Sequence, residues 1–181
     1  PRCFFVSVTV PAMKDLSGKH IVLGLSGGIA CYKAAELCRL LIKAGASVQV
    51  VMTEAATQFI TPVTMQALSN APVILSQWDA REPNNMPHIN LSRDADAIVI
   101  SMKSRTNPAA EAVEWSLTAC DALLRTGARQ ILFKYCSTFD STDAGNIGPV
   151  TEALMKRLGV SYTIACPAFP ANGRSVYQGH L

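Results

Sequence analysis

The stretch HIVLGLSGGIACYKAAELCRLLIKAG, residues 20–45, decides the fold class of this chain. Its first six residues form a continuous apolar run, which is typical of a buried strand. After Gly28 the apolar residues recur at helical spacing, and Gly45 marks the predicted end of the helix. The stretch therefore predicts a strand joined to a helix through a short glycine turn.

Strands and helices alternate along the rest of the sequence. Further strands are predicted at 47–53, 72–75, 96–101, 129–135 and 161–166. Helical segments are predicted at 56–69, 108–126 and 147–159, the first of them interrupted by Pro62. This alternation favours a three-layer, doubly wound α/β fold with about six mostly parallel strands, Rossmann-like or flavodoxin-like. We expect one domain over 14–181, preceded by an N-terminal extension at residues 1–13.

Composition narrows the class of partner. The 181 residues are 49% hydrophobic and 16% charged, with a net charge of +3 and no basic cluster, so nucleic acid is not expected. The apolar run near the start is too short to span a bilayer, and no membrane partner is expected. Six scattered cysteines lack the spacing of a zinc site or a disulfide framework. We expect reduced thiols in a cytoplasm, no bound metal, and a small molecule as ligand.

The glycine turn in the first half suits a phosphate group. Ser26, Gly27 and Gly28 place backbone N–H groups and a hydroxyl at the positive end of a helix. The turn has neither the GxGxxG nor the GxxxxGK[ST] spacing, and the glycines could serve only to pack the strand against the helix. Thr53 offers a second hydroxyl at the end of the next strand, where open α/β sheets bind ligands, or it caps the following helix.

Residues 14–100 resemble bacterial phosphopantothenoylcysteine decarboxylase, the FMN-dependent flavoprotein of coenzyme A biosynthesis. The resemblance rests on GKHIVLGLSGGIACYKAAEL, VQVVMTEAATQFITPVTMQALS and HINLSRDADAIVI. It implies a homo-oligomer, a catalytic histidine at His88 and FMN as the cofactor; from the residues alone, His88 could be an incidental loop histidine. The resemblance assigns the FMN phosphate to Ser26, Gly27, Gly28, Ile29 and Thr53. The family's later flavin-facing and substrate-gripping motifs are missing after residue 100, so we expect impaired decarboxylation.

Residues 94–181 resemble a different family, the amino-terminal domain of the four-carbon acid sugar kinases similar to 3-oxo-tetronate kinase. KSRTNPAAEAV, ARQILFKYCSTFDSTDAGNIGPV and TIACPAFPANGRSVYQGHL carry this resemblance. The loop CSTFDSTDAGNIGP is dense in hydroxyls and carboxylates, although such residues also form ordinary surface turns. The resemblance implies that cationic side chains bind the substrate carboxylate and polar side chains bind its hydroxyls. The cations are Lys103, Arg105 and Lys134; the hydroxyl partners are Ser137, Thr138, Asp140, Ser141 and Thr142.

The two resemblances predict a chimera with its seam near residues 94–101. Three functions follow as hypotheses: an FMN-binding flavoprotein, which the sequence favours; a sugar-acid-binding fragment of a kinase; and a folded scaffold without activity. Kinase activity is not expected, because nothing in the sequence supplies groups that cradle nucleotide phosphates and a metal.

Overall fold

The computed structural model describes residues 3–6, 15–29, 31–76, 91, 95–102, 104–135, 142–168 and 173–176. The strands among them are β1 (Cys3–Val6), β2 (His20–Leu25), β3 (Ser47–Met52), β4 (Ala97–Ser101), β5 (Gln130–Phe133) and β6 (Ile164–Ala165). The helices are α1 (Cys31–Lys43), α2 (Glu54–Thr57), α3 (Pro62–Ser69), α4 (Ala109–Arg125) and α5 (Ile147–Leu158). Every strand pair is parallel, which confirms the predicted class of a parallel α/β fold.

The described strands form two sheets, and the chain divides into two compact units. One unit is the continuous segment Ala12–Lys103, which we call the inner unit because it lies between the two pieces of the other unit in the sequence. Those pieces, Pro1–Pro11 and Ser104–Leu181, form what we call the outer unit. The sequence predicted one domain over 14–181, so this division differs from that expectation. The boundary at Lys103 and Ser104 lies just beyond the predicted seam at 94–101.

The inner unit is built on a sheet with the strand order β3-β2-β4. Because its central strand is covered on both faces, it is apolar along nearly its whole length. Helix α1 buries Cys31, Ala34 and Cys38, a helical spacing that forms one apolar face. This face and the strands enclose a core whose most deeply buried side chains include Leu23, Val50 and Met65.

Local signals set the limits of the inner helices. The Thr61 hydroxyl accepts a hydrogen bond from the Thr64 N–H at 3.2 Å, and Pro62 occupies the first turn of α3. Asn70 ends α3 in the left-handed conformation, with φ of 55°. The predicted strand at 72–75 contributes a single parallel bridge, between Ile74 and Val51.

The outer unit has the strand order β5-β1-β6. Helices α4 and α5 pack together beside this sheet, and their core includes Ala112, Cys120, Val150 and Leu154. β1 lies inside the segment that the sequence assigned to an N-terminal extension. The apolar residues of this segment form the middle strand of a sheet whose other strands follow more than a hundred residues later.

Candidate functional site

The glycine turn lies where three parallel strands of the inner unit end. Leu25 at the end of β2 is in register with Met52 of β3 and Ser101 of β4. Ser26 continues from β2 and binds the carbonyl of Ser101 twice: its N–H donates at 3.2 Å and its hydroxyl at 2.6 Å. The turn is therefore anchored to β4 through Ser26.

Thr53 lies beside this turn, as the predicted phosphate site requires. Its N–H donates to the carbonyl of Leu25 at 3.0 Å, which joins the two strand ends. The Thr53 hydroxyl accepts from the Ala56 N–H at 3.3 Å and thereby caps α2. The structure thus brings Ser26, Gly27, Gly28 and Thr53 to one edge of the sheet, and it also shows the capping role that the sequence left open for Thr53.

Gly27 packs against the start of α2. Its φ of 101° favours glycine, and a Cβ at this position would lie 3.1 Å from the carbonyl carbon of Ala55. Burial raises the pKa of the Cys31 thiol, and a backbone hydrogen bond from Gly27 partly offsets this rise. Ile29 follows with 80% of its surface exposed.

The turn fits a phosphate by position and only in part by its donors. The end of the sheet and the start of α1 are the right place for an anion, and α1 has no acidic residue in its first turn. The Ser26 hydroxyl, however, donates to Ser101, and the Gly27 backbone makes a hydrogen bond to Cys31. The acidic side chain of Glu54 directly follows Thr53 and is exposed. A phosphate there would depend on the remaining groups of the turn and on the Thr53 O–H.

A second cluster of polar groups forms in the outer unit. The Asn146 side-chain amide donates to the carbonyl of Ser104 at 2.6 Å and to the carbonyl of Asn107 at 3.0 Å. The Asn107 amide in turn donates to the Glu111 carboxylate at 2.9 Å. Asn146, which directly precedes α5, thereby holds the loop after β4 in place.

These hydrogen bonds bring the N-terminal ends of α4 and α5 close together. Asn107 lies two residues before α4 and Asn146 lies one residue before α5. At the other end of the same pair, Arg157 of α5 contacts Asp121 of α4 at 2.6 Å, so the two helices run side by side in the same direction. Their positive N-terminal ends therefore lie together, an arrangement that favours negative charge, and Glu111 in the first turn of α4 already supplies one carboxylate there.

Two of the predicted sugar-acid residues lie next to this cluster. Arg105 is exposed within the loop 104–107 that Asn146 holds. Thr142 is exposed in the loop before α5, and its carbonyl accepts from the Gly145 N–H at 2.8 Å. Lys134 follows β5, and its ammonium group donates to the carbonyl of Tyr135. The sequence did not single out Asn146 or Asn107, which hold the loops together.

The other predicted site residues lie outside the described residues. They are His88, Lys103, Ser137, Thr138, Asp140 and Ser141. Their predicted roles, including the catalytic role of His88, stay predictions.

A shallow groove of about 600 Å³ runs along α5. Ile147, Met155, Val160 and Ala165 supply most of its apolar lining. A polyhydroxy acid needs convergent polar partners, so this groove suits it less well than the loops before α4 and α5.

Within the parts of the chain that the structure describes, no three His, Cys, Asp or Glu residues are grouped closely enough to hold a metal ion. None of the helices in these parts is long and apolar enough to cross a membrane.

Sequence relatives of this chain are sugar-acid kinases. A 3-oxo-tetronate kinase of Burkholderia multivorans is 62% identical over 96 residues, which are 53% of this chain and 22% of the kinase. The 3-oxo-tetronate kinase of Cupriavidus necator is 64% identical over 88 residues, 49% of this chain and 20% of the kinase. The chain thus spans about a fifth of the length of these relatives.

Solved structures with a similar fold include flavin-dependent enzymes. The FMN-dependent cysteine decarboxylase TvaF from thioviridamide biosynthesis has a TM-score of 0.53 at 19% identity, over 82% of this chain and 90% of that one. The FMN-dependent cysteine decarboxylase SpaF has a TM-score of 0.56 at 13% identity, over 83% and 85%. A Salmonella typhimurium LT2 protein provisionally named a tRNA synthase has a TM-score of 0.53 at 35% identity, over 89% and 30%. At their identities, the decarboxylases show likeness of fold alone.

A chimera of the two families should have kinase relatives in sequence and decarboxylase neighbours in fold, and this chain has both. The family model of the sugar-binding N-terminal domain matches residues 34–181, most of the chain. The chain therefore belongs to the sugar-binding N-terminal domain family.

Proposed function

We propose that the chain binds a small polyhydroxy acid of the tetronate class through the loops before α4 and α5. The observation that carries this proposal is the pair of hydrogen bonds from Asn146 to Ser104 and Asn107. These bonds hold the loop 104–107 at the start of α5, so that groups from two loops and two helix starts converge.

The chemistry of this place suits a carboxylate with hydroxyl groups beside it. Two neighbouring helix N-termini stabilise a negative charge. Arg105 adds a guanidinium group, which binds carboxylates through paired N–H donors. Thr142 adds a hydroxyl that donates or accepts a hydrogen bond. The curated kinases are named for a four-carbon sugar acid, which supports this class of ligand.

The proposal concerns binding alone. The chain spans about a fifth of the kinases that it resembles, and phosphoryl transfer belongs to those proteins as wholes. Lys103, Lys134 and the polar residues Ser137, Thr138, Asp140 and Ser141 remain proposed partners of the same ligand.

Thermal unfolding of the purified chain with threonate or erythronate tests the proposal. A ligand that binds only the folded state raises the melting temperature, and the shift keeps growing with the logarithm of ligand concentration above the Kd. We expect a shift with either acid and none with butyrate, which has the carboxylate but no hydroxyls. The absence of a shift at millimolar threonate and erythronate contradicts the proposal.

Substitution of Asn146 tests the place of binding. Asn146→Ala removes both hydrogen bonds to the loop 104–107, so we expect a loss of about 1–2 kcal/mol in stability and of most of the threonate shift. Asn107→Ala is the matched control, because it removes an exposed contact with Glu111 and leaves the Asn107 carbonyl in place. An unchanged threonate shift in Asn146→Ala would place the ligand elsewhere.

A second candidate function is FMN binding through its phosphate at the glycine turn. The register of β2 with β3 favours it, since it places Ser26, Gly27, Gly28, Ile29 and Thr53 at adjacent strand ends. FMN would bring the redox chemistry, and these residues would hold its phosphate. The FMN-dependent fold neighbours support this candidate, and the hydroxyl and N–H groups already bonded within the turn weigh against it.

Flavin fluorescence distinguishes this candidate from the first. We expect the chain to quench FMN more strongly than riboflavin, which has the same ring and no phosphate. Equal quenching, or none, contradicts phosphate recognition at the turn. If neither threonate nor FMN binds, the third hypothesis remains, a folded scaffold without activity.

A further inference from the structure

The middle strand of the outer unit comes from a distant part of the chain. β5 and β6 each pair with β1, in the order β5-β1-β6. The register places Cys3 opposite Gln130 and Phe5 between Leu132 and Ile164. Neighbouring strands are about 4.8 Å apart, so without β1 the strands β5 and β6 would be separated by a gap one strand wide, roughly 10 Å.

This middle strand also lies outside the part of the chain that the family model matches. The match covers residues 34–181, and the inner unit separates β1 from the rest of the outer unit in the sequence. We infer that the outer unit contains a peptide-binding site between β5 and β6. The site takes an extended apolar strand in parallel orientation, and Cys3–Val6 of the same chain occupies it.

The chemistry of such a site determines what it accepts. A strand added to a sheet binds through its backbone N–H and C=O groups, while its side chains must suit the faces of the sheet. In β5, Ile131 is buried and Leu132 is 57% exposed, so the described part of this sheet is covered on one face and its middle strand needs apolar residues at alternate positions at least. The sequence of β1, CFFV, meets this requirement. Proline is excluded, because it lacks the N–H that the ladder needs.

The chain's own strand is favoured over that of a second copy, because it belongs to the same molecule as its partners. Residues 7–129 join β1 to β5. The effective concentration of a tethered strand does not fall when the protein is diluted, whereas the concentration of a second chain does.

An engineered disulfide tests which strand occupies the site. Gln130→Cys puts a cysteine in register with Cys3 on the adjacent strand. Neighbouring strands are about 4.8 Å apart, which is within the Cα separation that a disulfide allows. We expect mild oxidation to join Cys3 to position 130 within one chain, as mapped by mass spectrometry. The control is Ser47→Cys on β3, which pairs with β2 and should not link to Cys3. A bond between two chains would assign the site to a second copy, and the absence of any bond would refute the position of β1; both overturn the inference.

Hydrogen exchange of full-length variants tests whether the site binds a separate peptide. We expect Phe5→Pro to speed amide exchange in β5 and β6 by about tenfold or more, while Phe5→Val, which keeps the N–H, leaves it nearly unchanged. A peptide of residues 1–11 should restore protection in the Phe5→Pro chain, and the same peptide carrying proline at position 5 should not.

Amides of β2, β3 and β4 report whether the inner unit stays folded in these variants. The inference fails if the inner unit stays folded and the native peptide restores nothing, or if Phe5→Pro leaves β5 and β6 protected. If Phe5→Pro unfolds the whole chain, the disulfide experiment decides whether Cys3–Val6 of the same chain occupies the site between β5 and β6.

Discussion

Glycine is required at position 27 for two separate reasons, its backbone conformation and the lack of space for a side chain. Its φ lies in the left-handed region, and its Cα faces the first turn of α2. We expect Gly27→Ala to lower the free energy of unfolding by about 1–3 kcal/mol, measured by urea denaturation. Gly18 has a φ of 75° with open space around it, so Gly18→Ala carries the conformational cost alone and should be milder. Equal losses in the two variants would show that crowding against Ala55 contributes nothing.

Asn146 shows why part of the site escaped the sequence. An asparagine directly before a helix is typical of an N-cap, yet its side chain makes no capping bond and holds another loop instead. Its partners, the carbonyls of Ser104 and Asn107, lie about forty residues earlier. A local pattern cannot identify such partners, whereas the roles of Thr53 and Gly45 depend on neighbours in the chain and were predictable.

At the scale of elements, Asp96 fixes the start of β4 to the start of β2. Its carboxylate accepts from the His20 N–H at 2.8 Å and from the Lys19 ammonium at 2.9 Å. The Asp96 N–H donates to the His20 carbonyl at 2.8 Å. The hydrogen bond from His20, followed by that from Lys19, lowers the pKa of the Asp96 carboxyl.

This lowered pKa predicts a loss of stability in acid. A carboxyl with a lower pKa in the folded state stabilises fully above its unfolded value of about 4, and the effect disappears as pH falls through the folded value. We expect the urea midpoint of Asp96→Asn to fall less than that of the native chain between neutral pH and strong acid. Glu36→Gln, an exposed change on α1, is the control and should follow the native chain. Parallel acid profiles for Asp96→Asn and the native chain would contradict the role of Asp96.

Apolar runs predicted β2, β3, β4 and β5 to within a few residues, because the strands of a parallel sheet are rich in apolar residues. The structure differs from the sequence-based prediction at the two short apolar runs. CFFV, placed in an extension, is a middle strand, and PVIL contributes only the bridge at Ile74. Periodicity identifies a strand through its own residues, and it does not reveal whether a partner strand exists elsewhere in the chain.

At the scale of the whole molecule, two hydrophobic cores predict two responses to mutation. Leu23 lies in the core of the inner unit and Leu154 in that of the outer unit. We expect Leu23→Ala and Leu154→Ala each to cost about 2–5 kcal/mol. Hydrogen exchange should increase mainly in the unit that carries each substitution, since each unit has its own core. If either substitution speeds exchange equally in both units, the chain unfolds as one cooperative body.

The position of β1 in the outer sheet has a consequence for synthesis on the ribosome. Cys3 is synthesised 127 residues before its partner Gln130. At about 5–20 residues per second, CFFV would remain unpaired for roughly 6–25 seconds. During that interval it is an apolar segment with free backbone groups, the kind of segment that chaperones bind and that promotes aggregation. The rate of translation should therefore affect the yield of soluble chain, and this dependence should weaken when CFFV is made less apolar.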